Sequence, residues 1–303
     1  MMKINSQEFQ NKELKTAVLF LVFNRPDTTR QVFEAIRQAK PPRLYVAADG
    51  PREGKLGEVE RVKEVRTIAT AVDWPCEVKT LFRDKNLGCK KGVSSAITWF
   101  FEQDEQGIVL EDDCLPSLSF FKFCEIMLDK YRENKSVWMI AGFNPHQPGI
   151  SSSEYFMSQN PSAWGWASWR DRWVHYTVDI DYARKEPDWS TGLKLPDYVI
   201  RYYDKAFSYT ASGKIDTWDY QLSFLILKNN GYVIKSFANL ISNIGVYGTH
   251  SNRSDHNHHV PIGSINLEKL IILPSNLGMK EDLWFYKKNL TNNLLKKIFN
   301  LFS

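Results

Sequence analysis

Three consecutive acids, Glu111, Asp112 and Asp113, follow directly on the apolar residues Ile108, Val109 and Leu110. Carboxylates gathered at the end of a buried strand suit a hard divalent cation, which takes oxygen ligands. A manganese or magnesium ion held there would bridge a diphosphate and neutralise it as a leaving group, so that no protonating acid is needed. An acidic triplet alone reads more readily as a solvated turn; its setting, with Leu110 before it and Cys114, Leu115 and Pro116 after it, reverses that and favours a site. A second pair of acids, Asp216 and Asp219, flanks Thr217 and Trp218 ahead of a helical pattern. Either could take the proton of an attacking hydroxyl, or simply cap the helix beginning near Tyr220.

The elements that would carry these groups alternate. Residues 17–23 form an apolar run suited to a strand buried on both faces. Pro26 and the capping types Asp27, Thr28 and Thr29 then start a helix whose apolar positions Val32, Phe33 and Ile36 share one side, and Pro41 and Pro42 stop it. A second strand over 44–49 ends in the turn-forming residues Asp49, Gly50 and Pro51. A helix over 58–71, a strand over 77–82, a helical face over 93–101 and a strand over 108–110 complete the pattern. This order predicts a parallel or mixed sheet covered by helices, in which ligands bind beyond the carboxyl ends of the strands. Asn24, Arg25, Asp49 and the acidic triplet all fall at such ends. Beyond residue 137 the pattern loosens: 138–140 reads as a strand, 160–169 as an ordered loop entering a helix, and 222–227 as a helix. Trp166, Trp169 and Trp173 lie at helical spacing and read as core, whereas Trp164 beside Gly165 reads as the ring facing a ligand.

With 303 residues, 43% of them hydrophobic and 24% charged, the chain can bury a large core, and its net charge of +4 is too small for a nucleic-acid footprint. Its four cysteines, Cys76, Cys89, Cys114 and Cys124, form no metal-binding or disulfide pattern and read as reduced thiols. No apolar run spans a bilayer, so the expected location is cytoplasmic. In the last residues, Leu290, Leu294, Leu295 and Ile298 interleave with Lys287, Lys288, Lys296 and Lys297. That pattern fits either a basic amphipathic helix lying peripherally on the inner face of an anionic membrane or an ordinary packed surface helix.

Taken together, the segments 20–26, 47–52, 83–89, 110–114, 164–169 and 216–220 resemble bacterial family-2-like nucleotide-diphospho-sugar transferases, and more distantly N-acetylglucosaminyltransferase I. The resemblance runs over roughly residues 17–255 and implies a GT-A glycosyltransferase, an α/β fold with a Rossmann-like mixed sheet and helices on both faces: a metal-dependent, inverting transfer from a nucleoside diphosphate sugar, with a uridine donor expected, to a glycan or lipid-linked glycan in surface polysaccharide synthesis. It implies that Asn24, Arg25 and Asp49 hold the nucleotide, with Asp49 at the uracil. Glu111 would face the donor sugar, Asp112 the ribose, and Asp113 the manganese or magnesium ion. It points to Asp219 as general base, with Asp216 as its rival. Lys90 and Lys91, on a helix start, suit the donor phosphates or are a solvated face. His250, ending a glycine-containing stretch, would touch phosphate or metal, whereas His256, His258 and His259 sit in a polar loop and are not read as ligands. Trp164 and Trp218 are expected at the acceptor.

The corresponding division is a polar leader over 1–16, a nucleotide-sugar-binding half over 17–142, an acceptor-binding half over 143–260, and a C-terminal amphipathic helical tail over 261–303. Two other readings remain: a non-catalytic glycan-binding or membrane-active protein, and a sugar-phosphate nucleotidyltransferase. The latter needs a glycine-rich loop after the first strand, where this chain has Phe23, Asn24, Arg25 and Pro26.

Overall fold

The computed structural model describes residues 13–180, 189–245 and 259–299, with backbone alone beyond residue 290. The first half alternates as the sequence predicts: β1 (Ala17–Val22), α1 (Pro26–Ala39), β2 (Arg43–Ala48), α2 (Glu58–Ala69), β3 (Glu77–Phe82), α3 (Gly88–Phe101) and β4 (Gln106–Glu111). All six residues of β1 are buried, which explains its unbroken apolar composition. Helix α1 starts one step earlier than its capping types imply. Arg25 is the N-cap and Pro26 fills the first turn, so the Thr28 and Thr29 hydroxyls donate back to the Arg25 carbonyl at 3.3 and 2.7 Å instead of capping. Lys40, left-handed at φ 50°, ends the helix ahead of Pro41.

The second half adds β5 (Cys114–Pro116), α4 (Leu118–Tyr131), β6 (Val137–Ala141), β7 (Ser151–Ser152), β8 (Glu154–Ser158), β9 (Trp166–Trp169) and α5 (Arg170–Trp173). Then come α6 (Asp197–Ala211), α7 (Asp219–Lys228), β10 (Tyr232–Ser236), β11 (Ile241–Asn243), β12 (Ser264–Ile265), β13 (Ile271–Ile272) and α8 (Ser275–Phe299).

One nine-stranded sheet runs through both halves in the order β13-β8-β10-β6-β9-β4-β1-β2-β3. Strands β4, β1, β2 and β3 are parallel, and β9 lies antiparallel between β4 and β6. Apolar side chains pack on both faces. Val18, Phe20 and Val22 join α1, α2 and α4 on one side, while Leu19 and Leu21 join α3 and α7 on the other. The mixed sheet with helices on both faces is the expected Rossmann-like α/β architecture.

The segment 166–169 corrects the expectation of a loop entering a helix. Its tryptophans are core, but as a strand: Trp166 packs on the α3 and α7 face and Ala167 and Trp169 on the other. Helical spacing arises because the strand runs straight into the single turn α5 that carries Trp173.

Helix α8 docks on β8 through buried groups. The Ser158 hydroxyl and the Gln159 amide donate to the Asp282 carboxylate at 2.6 and 2.7 Å, and the Tyr286 hydroxyl donates to the Gln159 carbonyl at 3.1 Å. Burial pushes the Asp282 carboxyl up to about 6 and the neighbouring Lys235 ammonium down to about 8. The first half of α8 is thus part of the fold. No described helix is long and apolar enough to cross a membrane. Asp282→Ala removes the counter-charge of buried Lys235 and leaves two donors unpaired, and is expected to lower unfolding free energy by about 3 kcal/mol. A urea titration checks it, the midpoint falling with the slope unchanged.

Candidate active site

Parallel pairing brings three strand ends level. Leu21 stands opposite Ala47 on one side and Glu111 on the other, so the chain leaves β1, β2 and β4 side by side. A cavity of about 450 Å³ opens over these ends, walled by Asn24, Arg25, Asp49 and the whole acidic triplet, with Trp164 and Gly245 completing the far side. The structure therefore gathers most of the residues singled out in the sequence.

Arg25 is the hub. Its Nη2 is bonded to Asp112 Oδ1 and its Nη1 lies 2.8 Å from Asp113 Oδ2, while the Phe23 amide donates to Asp112 Oδ2 at 3.3 Å. One guanidinium thus faces three clustered acids. Burial, with the neighbouring carboxylates adding to it, holds the Glu111 carboxyl well above the usual range and lifts Asp112 to about 6 despite Arg25. The cluster has an excess of negative charge over its own cation and is built of oxygen donors, which is the environment a hard cation would complete. Among the described residues no three His, Cys, Asp or Glu side chains converge as a metal cage. Gly245 passes so close that a Cβ there would meet the Asp113 carboxylate and, at 2.9 Å, Arg25 Nη1, so a side chain at this position would have to displace one of them.

Asp49 is turned to the backbone beyond β3. Its carboxylate accepts from the Gly50 amide at 2.9 Å and from the Leu87 amide at 3.0 and 2.9 Å, and burial holds it above the ordinary aspartate value. The start of α3, expected to serve phosphates, is occupied from within: Asp216 accepts from the Cys89 and Lys90 amides at 3.1 and 3.2 Å. Gly88, at φ 77°, sits where a side chain would meet Asp216 Oδ2 at 2.9 Å. Asp216 is thus a cap, although of α3 and not of the helix that follows it in sequence. Lys90 and Lys91 lie on the first turn of α3, half-buried and exposed, and do not line the cavity.

Asp219 opens α7, half-buried, and is not one of the residues lining the cavity. Its Oδ1 is bonded to the Thr217 hydroxyl and accepts from the Tyr220 amide at 3.0 Å; burial raises its pKa. Its charge is felt at Glu111 and at Cys89 on the cavity wall, which places it within electrostatic reach of the cluster. Trp164 stands at the cavity edge with its ring against Phe143 at 4.7 Å. Trp218 is core: 2% exposed and stacked on Trp166 at 5.9 Å, it has no face turned to the cavity. His250, with His256 and His258, lies outside the described residues.

Sequence reasoning missed Arg52, Arg83, Asn86 and Cys89, all on the cavity wall. The signal for Arg52 was available, since it follows Asp49, Gly50 and Pro51 at a strand end. Arg83 and Asn86 belong to the loop after β3 and could have been found by the same rule.

No family model and no curated protein matches the chain. Among solved structures it is similar to a UDP-glucose pyrophosphorylase complexed with UDP-glucose (11% identity, 76% of this chain and 94% of the other, TM-score 0.38) and to an apo UDP-glucose pyrophosphorylase (11%, 90% and 99%, 0.38). It is also similar to HddC from Yersinia pseudotuberculosis (10%, 52% and 77%, 0.31). Superpositions this loose leave the functional reading to the site itself.

Proposed function

We propose that the chain is a glycosyltransferase that binds a nucleoside diphosphate sugar, with a uridine donor as the first choice, and passes the sugar to a glycan or lipid-linked glycan with inversion. The observation that carries the reading is the convergence of Arg25, Asp49 and the acidic triplet on one cavity over the ends of parallel strands. Its size suits a nucleotide sugar, since ligand cavities of roughly 300–1,000 Å³ are usual.

A manganese or magnesium ion, when bound, would supply charge neutralisation to the departing diphosphate. Asp113 would hold it: both aspartates are bonded to Arg25, but Asp112 is 2% exposed and also takes the Phe23 amide, whereas Asp113 is half-buried beside Gly245. Arg25 keeps the two aspartates together. Glu111, which burial holds well above the ordinary carboxylate range, would face a hydroxyl of the donor sugar. Asp219 takes the proton from the attacking acceptor hydroxyl, and Trp164 offers a ring face on the acceptor side.

The sugar-phosphate nucleotidyltransferase reading uses a similar cavity but needs an open loop after β1. Here Asn24 is tied to Glu58 at 2.8 Å and Arg25 to Asp112 and Asp113, leaving side chains where a phosphate would enter. Product analysis separates the two. Incubation with uridine diphosphate sugars and manganese is expected to release uridine diphosphate, by transfer or slow hydrolysis. Formation of uridine triphosphate from added pyrophosphate would instead establish nucleotidyl transfer and overturn the proposal.

A further inference from the structure

Glu58, the first residue of α2, has no part in the chemistry above, yet it is a carboxylate only 1% exposed. It is fully used. Arg52 Nε lies 3.0 and 3.1 Å from its two oxygens, Arg52 Nη2 is 2.5 Å from Oε2, and the Arg52 backbone amide donates to Oε1 at 2.6 Å. Asn24 Nδ2 donates to Oε2 at 2.8 Å. The Arg52 fork pulls the Glu58 carboxyl down to about 2. One buried acid therefore braces two side chains from different strand ends, Asn24 beyond β1 and Arg52 beyond β2, and both line the cavity. The Arg52 guanidinium also lies 5.4 Å from the Phe23 ring, a third wall residue.

Position and charge indicate what this brace would meet. In the sheet, β1 separates β2 from β4, and at about 4.8 Å per strand the end of β2 lies about 10 Å from the acidic cluster. That is the reach of a nucleoside whose diphosphate sits at the cluster. The charges of Arg52 and Glu58 cancel, so the brace presents hydrogen-bond donors without net charge, which suits a neutral carbonyl better than a phosphate. Resting on the donor reading above, we propose that Arg52 and Asn24 form the nucleoside-reading wall of the cavity. Arg52 donates to a carbonyl of the base, and Glu58 acts as the positioning residue that holds both.

Titrating the full chain, with manganese present, against uridine diphosphate and separately against inorganic pyrophosphate tests this. The double variant Arg52→Met, Glu58→Gln removes the brace without stranding a buried charge, and Arg52→Lys keeps the charge while losing the fork. Both are expected to weaken uridine diphosphate binding, about tenfold or more for the double variant, while pyrophosphate binding stays as it was. Equal losses for the two ligands would make Arg52 a phosphate-binding cation and overturn the inference, as would unchanged uridine diphosphate affinity in variants that melt like the unaltered protein. Failure of the unaltered protein to bind uridine diphosphate at all would instead contradict the donor reading, and this inference with it.

Discussion

Asp113→Ala is expected to lower sugar transfer by about 10²–10³-fold, the usual scale for removing one group that stabilises developing charge. The fold should survive, because Arg25 keeps its bond to Asp112 and so is not left unpaired in the cavity wall. The loss should fall on kcat more than on KM if Asp113 acts on the leaving diphosphate as it departs. Raising the manganese concentration should recover part of it, since the donor's own oxygens would still hold the ion. Steady-state kinetics over a manganese series, beside a thermal melt, checks each part; an unchanged rate would remove Asp113 from the mechanism.

A second large effect is expected at Asp219, where loss of a general base costs about 10²–10⁴-fold. Asp219→Asn preserves the oxygen that accepts from the Tyr220 amide and the Thr217 hydroxyl, so the start of α7 should hold its shape. The pH profile separates a chemical role from a structural one. Burial raises the Asp219 pKa, so the carboxylate needed as base is lost on acidification earlier than at an ordinary aspartate. Activity of the unaltered protein should therefore climb with pH through a limb displaced above the normal aspartate range, and the residual activity of the asparagine variant should lack that limb. Asp216→Asn, by contrast, weakens a cap on α3 and should show as a change in melting temperature with the limb intact. If the limb followed Asp216 instead, the two roles would be exchanged.

The first four strands and the chemistry at their ends could be read from the sequence because their determinants are local. Unbroken apolar runs such as Ala17–Val22 mark strands buried on both faces, and the polar residue that ends each run lands on the sheet's carboxyl edge by construction. Pairing could not be read. Strand β9 is inserted antiparallel between β4 and β6, some sixty and thirty residues away, and its Trp166 and Trp169 mimic a helix with Trp173 only because the chain turns directly into α5. Trp218, expected at the acceptor, is core instead, since its stacking on Trp166 depends on where β9 lies. The same limit hid Glu58. Locally it is the first acid of a helix, and only the fold brings Asn24, 34 residues away, onto its second oxygen. Asp216 is the sharpest case, because the helix it caps lies 127 residues from it in sequence.

A nucleoside diphosphate that binds this cavity through a metal held by Asp113 makes the two ligands depend on each other. Thermal unfolding with uridine diphosphate, with manganese, with both and with neither, in the unaltered protein and in Asp113→Ala, tests it most directly. The two ligands together should stabilise the unaltered protein by more than the sum of each alone, to a total of about 2.7 kcal/mol at a hundredfold excess over the dissociation constant of the metal complex, and that excess over the sum should shrink in the variant at the same manganese concentration. A manganese-dependent increment that persists undiminished in Asp113→Ala, or no response of the unaltered protein to uridine diphosphate, would contradict the account.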